Sequence, residues 1–192
     1  MAVGEPPSAF LDPSALYPSL LRNVLMRLAQ RDLFHAFWSA RVQDEWTSAV
    51  LRDRPLLERA QIDRTRSLMD EQIDDANVAD YEHLIDTVTL PDVDDRHVLA
   101  AAIHCGAGVI VTANLRDFPA STLSTYGIEA QHPDAFILGL FNADPNVVLA
   151  SLRELRASLK KPPLTAAELL SSMARQGLMG SADALGGFID TL

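Results

Sequence analysis

The stretch Asp94-Asp95-Arg96-His97-Val98-Leu99-Ala100-Ala101-Ala102-Ile103-His104-Cys105-Gly106-Ala107-Gly108-Val109-Ile110-Val111-Thr112-Ala113-Asn114 changes its period in the middle. Up to His104 the apolar residues recur at helical spacing, with Val98, Leu99, Ala102 and Ile103 standing three, four, seven and eight places after Asp95. Gly106-Ala107-Gly108 stops the helix, and Val109 to Thr112 is a short apolar β-branched run, the strongest strand signal in the chain. A helix that turns over a glycine into a buried strand is the repeating unit of an α/β domain.

Outward from it the same alternation appears on both sides. Ser8 to Asp12 reads as a buried strand between Pro6-Pro7 and Pro13, because a proline holds its predecessor extended. A helix is expected over about 17 to 30, a short strand at Phe34 to Ser39, a helix from Ala40 to Leu51, and a charged, exposed helix over 55 to 74. Val88-Thr89-Leu90 reads as a further short strand, Ile128 to Gln131 as an edge strand, and Asp134 to Phe141 as a helix. The expected fold class is therefore α/β, with a mainly parallel sheet and helices on both faces. Beyond Asn142 only helical periodicity remains, and Thr165-Ala166-Ala167-Glu168 is a capping box after Pro162-Pro163. The expected division is a domain over 1–141 and a C-terminal helical extension over 142–192, with no chemistry of its own.

At 192 residues, 48% apolar, the chain can bury one sizeable core plus that appendage. No apolar run is long enough to span a membrane, and Met1 to Pro7 lacks the basic and apolar regions of a secretion signal, so the expected location is the cytoplasm. A single cysteine, Cys105, rules out an internal disulfide and a multi-cysteine zinc site. The net charge of -10 is polarised: Ser67 to Asp95 holds ten acids and no Lys or Arg, whereas Arg22 to Arg66 holds nine arginines against six acids. Hence the net value does not exclude a polyanionic partner, although local ion pairs on a solvated helix face would use the arginines equally well.

Acidic positions carry the chemistry. Glu45 lies in the apolar stripe of Val42, Trp46, Ala49 and Val50, and Asp95 is in line with the stripe of its own helix. A carboxylate in such a place needs an arginine, a metal or a proton. Asp92 or Asp94 is expected to cap the helix, which leaves Asp95 free. Asp12 and Asn114 fall at the C-terminal ends of their strands, the edge where ligand crevices form in open α/β sheets. Two or three carboxylates with an amide or hydroxyl oxygen make a hard, oxygen-only environment suited to Mg2+ or Mn2+, and such a site implies phosphoryl chemistry without a side-chain nucleophile. The five histidines show no ligand spacing with these acids and are expected to pack or to face solvent.

Phe10-Leu11-Asp12-Pro13-Ser14-Ala15-Leu16, Glu45, Pro91-Asp92-Val93-Asp94-Asp95-Arg96-His97-Val98-Leu99-Ala100-Ala101-Ala102 and Ile110-Val111-Thr112-Ala113-Asn114-Leu115-Arg116-Asp117-Phe118-Pro119 together resemble PIN-domain proteins, close to the VapC-like toxin ribonucleases, over about residues 8 to 140. The resemblance implies a three-layer α/β/α PIN-like domain that cleaves RNA with Mg2+ or Mn2+. It makes Asp12, Glu45 and Asp95 the first three acids, with the fourth corner shared by Asn114 and Asp117, and Ser14 and Thr112 in support. It also implies a cognate antitoxin protein and a homodimer as partners. A haloacid-dehalogenase-like phosphatase would need a second aspartate where this chain has Ser14. The rival of a different class is a catalytically inactive PIN-like module that binds a partner protein.

Overall fold

The computed structural model describes residues 5–160 and 162–192; the reading of Met1 to Gly4 as free of a leader lies outside them. Five parallel strands run in the order β3-β2-β1-β4-β5. The first, β1 (Ser8–Leu11), is central, and its Ala9, Phe10 and Leu11 are fully buried, as a strand covered on both faces requires. Beside it lie β2 (His35–Ser39), in register Phe10 to Phe37, and β4 (Val109–Val111), in register Phe10 to Ile110. The edges are β3 (Asn77–Val78) and β5 (Glu129–Gln131).

Between β1 and β2 come α1 (Pro13–Leu16) and α2 (Ser19–Ala29), and between β2 and β3 come α3 (Ala40–Asp53) and α4 (Arg59–Gln72). The chain then crosses back through α5 (Arg96–His104) to β4, and reaches β5 through α6 (Ala120–Leu123). Helices flank the sheet in three layers. Strand order reverses between β1 and β4, so their C-terminal ends open the crevice expected of a doubly wound sheet.

The helix-to-strand junction forms as its glycines require. Gly106 takes φ 69°, its N–H bonds Ile103 O at 3.2 Å, and the Ala107 N–H bonds Ala102 O at 2.9 Å, which closes the end of α5 and releases the chain into β4. Two local expectations need correction. The third strand is Asn77–Val78 rather than Val88-Thr89-Leu90; Val88 and Leu90 are buried, but in extended chain that pairs with no strand. Asp95 itself occupies the N-cap of α5 and makes no side-chain cap bond, while Asp92 Oδ1 accepts the Asp94 N–H at 2.9 Å in the preceding turn.

The C-terminal part consists of α7 (Pro133–Ala143), α8 (Pro145–Ser158), α9 (Ala166–Arg175) and α10 (Met179–Gly186). The Thr165–Glu168 capping box forms as expected. Helix α8 packs on α2 and α7, α9 on α2, and α10 on α7 and α9. Their Val148, Leu152, Leu169, Met173 and Leu185 belong to the same apolar core as the sheet.

Candidate functional site

Asp12 stands at the end of β1, where its backbone N–H bonds Val111 O at 3.1 Å and so ties the two central strand ends together. The residue is 2% exposed. Its Oδ2 accepts the Ser14 N–H at 3.0 Å, the Ser14 hydroxyl, and the Thr112 hydroxyl at 3.1 Å. Burial pushes its pKa up, and these bonds, with the charge of nearby His97, pull it partly back. Ser14 and Thr112 therefore stand where support for Asp12 is needed, and the Ser14 hydroxyl also accepts the Ala113 N–H at 3.0 Å.

Glu45 projects from α3 with its side chain 37% exposed. Its Oε1 takes Arg41 Nε at 3.0 Å, one helical turn earlier, and His97 Nε2 at 3.2 Å from α5. Burial raises the Glu45 pKa, but the His97 contact and then Arg41 outweigh it and hold the carboxyl below its ordinary value. The histidine is 1% exposed. Expected to pack or to face solvent, it is buried and also reaches an acid. The signal for its burial was available: Val98, Leu99, Ala100, Ala101 and Ala102 leave α5 apolar all round, and a helix of that kind is enclosed on every side.

Asp95, half-buried at the N-cap of α5, has its pKa pushed up to about 6. Burial is the largest cause, followed by the negative charges of Asp12, Asp92 and Asp117, with His97 opposing them. At the fourth corner a 3-10 turn, Leu115–Asp117, brings Asp117 inward: its side chain is 17% exposed, with Arg116 Nε at 3.5 Å. Asn114 is exposed, and it is its backbone N–H, not its side chain, that bonds the Thr112 hydroxyl at 3.0 Å.

The fold thus brings Asp12 and Asp117 within reach of Asp95 by charge, and Glu45, Asp12 and Asp95 within reach of His97. Among the described residues, no three His, Cys, Asp or Glu side chains lie close enough to hold one ion between them. The donor set still fits Mg2+ or Mn2+, since every oxygen donor is hard and the cluster carries repulsion that a cation would relieve. Mg2+ in particular keeps several waters and takes only one or two carboxylates directly.

The arginines divide. Arg22 is 6% exposed, stacks 4.3 Å over Trp46 and donates from Nη1 to Leu16 O at 2.6 Å; burial, then Arg54, lowers its pKa to about 10. It belongs to the core rather than to a polyanion-binding face. Arg31, Arg41, Arg52, Arg59 and Arg66 are each engaged with an acid, as local ion pairing would have it.

A PIN-domain family model matches residues 8–116, more than half of the chain, from β1 into the Leu115–Asp117 turn, and ends one residue before Asp117. The chain belongs to the PIN-domain family. The PIN sheet is thus the one that places Asp12 and Thr112 on adjoining strand ends. A model of the VapC50 C-terminal domain matches residues 133–187, from α7 through α10. The protein named "Putative ribonuclease VapC50" from Mycobacterium tuberculosis is 40% identical over 82 residues, which cover 43% of this chain and 48% of that protein. The match therefore spans about half the length of the relative. No solved structure matches. No helix among the described residues is long and apolar enough to cross a membrane.

Proposed function

We propose that this PIN-domain chain is a metal-dependent endoribonuclease, the toxin of a toxin–antitoxin pair, with RNA as substrate and a cognate antitoxin protein and a second copy of itself as partners. The observation that carries the reading is the crowding of Asp12 and Asp117 by charge around the half-buried Asp95 where the strand order switches, so that like charges meet at the edge where the fold opens a crevice. The relative's printed name supports ribonuclease chemistry.

In this reading Asp12, Glu45, Asp95 and Asp117 hold Mg2+ or Mn2+, one or two of them directly and the others through bound water, with the Asn114 amide at the open edge. Ser14 and Thr112 keep Asp12 in one orientation. When bound, the cation supplies an activated water and neutralises charge on the leaving oxygen of a phosphodiester. Arg41 and Arg116, with side chains 46% and 89% exposed beside Glu45 and Asp117, would meet the phosphate backbone at the rim. The chemistry is assigned to residues 1–141 and a supporting role to 142–192.

Asp95→Asn removes a charge and almost no volume. It should abolish Mn2+-dependent cleavage of single-stranded RNA, by roughly a hundredfold or more, while the thermal transition stays within a few degrees of wild type. Undiminished cleavage by the folded variant sinks the assignment. An absence of Mn2+ binding sensitive to Asp12→Ala would favour an inactive, partner-binding module.

A further inference from the structure

His97 connects the acids without being one of them. Its imidazole is 1% exposed, its Nε2 lies 3.2 Å from Glu45 Oε1, and its Nδ1 is buried without a partner among the described residues. Burying an imidazole with one nitrogen unmet is unfavourable, and an aliphatic side chain at so buried a position would not carry that cost. The position is therefore explained by the contact of Nε2 with Glu45, not by packing.

Where that contact falls is informative. Arg41 Nε reaches the same Oε1 at 3.0 Å, so both contacts of Glu45 fall on one oxygen. Asp12 is held in the same manner, with Ser14 N–H, Ser14 Oγ and Thr112 Oγ1 all on Oδ2. Each carboxylate is fixed through one oxygen, and no hydrogen bond among the described residues occupies the other. A carboxylate that is to coordinate a cation in a set orientation needs this division of its two oxygens.

We infer that His97 is a positioning residue that pins Oε1 of Glu45 through Nε2–H and so reserves Oε2 for a divalent cation. The inference rests on the metal-dependent reading of the site. It assigns the residue no contact with the cation or with RNA.

Two amide variants separate the roles of the ring nitrogens, since the Gln amide nitrogen reaches about as far as Nε2 and the Asn amide nitrogen only as far as Nδ1. With the full chain, Mn2+ titrated calorimetrically should bind His97→Gln within about threefold of wild type and His97→Asn about tenfold or more weakly, the range for lost support of a metal ligand. In a Glu45→Gln background the change to Asn should have no further effect. Equal Mn2+ affinity of His97→Asn and wild type would reduce His97 to a packing residue. Equal losses in the Asn and Gln variants would make the imidazole itself the requirement and overturn the pin. If the wild type binds no Mn2+, the nuclease reading fails and the inference with it, an outcome distinct from the other two.

A measurement on the unaltered protein covers the case in which a variant does not fold. The His97 Nε2–H proton should appear in imidazole-selective NMR as a slowly exchanging resonance that shifts on addition of Mg2+. A resonance indifferent to Mg2+ at concentrations that load the site would also overturn the inference.

Discussion

Asn114 and Asp117 compete for one corner of the site, and the 3-10 turn between them separates their fates. The Asn114 backbone is held by the Thr112 hydroxyl while its side chain stays in solvent. Asp117, three residues on, has turned inward far enough for its charge to bear on Asp95. A carboxylate at that distance adds both ligand strength and repulsion; a solvated amide adds little of either. Asp117→Asn is therefore expected to cut Mn2+-dependent cleavage by about a hundredfold and to lower the Asp95 pKa, whereas Asn114→Ala should change cleavage by less than about threefold. RNA cleavage assays on both variants, with carboxyl titration by NMR, check this; the reverse order of losses would place the amide in the site. At this scale Glu45 stood out in the chain because it interrupts an apolar stripe and Asp12 because it ends a buried strand, whereas Asp95, in line with the stripe of its helix, takes the N-cap, where an aspartate is ordinary. The contact of His97 with Glu45 was not legible, since it joins α3 to α5 and no periodicity within either helix encodes it.

Asp134 serves two helices at once. It lies in the first turn of α7, and its carboxylate accepts the Gly180 N–H at 2.8 Å and the Ser181 N–H at 2.7 Å, the unpaired donors at the start of α10. Burial raises its pKa, but the bonds from Ser181 and Gly180 outweigh it and hold the group below its ordinary value. A carboxyl with a depressed folded-state pKa stabilises above its unfolded value, and that contribution disappears as the pH falls through the folded value. Thermal unfolding between pH 6 and 3 should thus fall more steeply for wild type than for Asp134→Asn, and at pH 7 the variant should melt a few degrees lower, reflecting on the order of 1 kcal/mol. Parallel curves would remove Asp134 from the α7–α10 junction. Elements with a strong period or a firm stop, such as α5 with Gly106 and β4, were readable. The edge strand β3 was not: two residues, Asn77–Val78, give no alternation to detect. Val88 and Leu90 mimicked a strand because burial selects apolar residues in unpaired extended chain as well.

At the scale of the whole molecule, the chemistry and the stability are assigned to different parts of the chain. Every candidate ligand precedes residue 118, yet α8 packs on α2 and α10 on α7, and Val148, Leu149, Leu152, Leu155 and Leu185 of these two helices are buried. Truncating one large buried aliphatic side chain costs about 2–5 kcal/mol, and a whole domain has only about 5–15 kcal/mol to lose. Ending the chain after Ala143 strips that cover from α2 and α7 together and leaves their apolar faces in water. The fragment 1–143 is therefore expected to lose its cooperative melting transition and to bind the hydrophobic dye ANS, although it retains every residue assigned to catalysis. Adding α8 to α10 back as a separate peptide should restore the transition if the loss is one of packing. A fragment that melts sharply at the temperature of the full chain would instead make residues 142–192 an independent appendage, and would look for their purpose outside the stability of the PIN sheet.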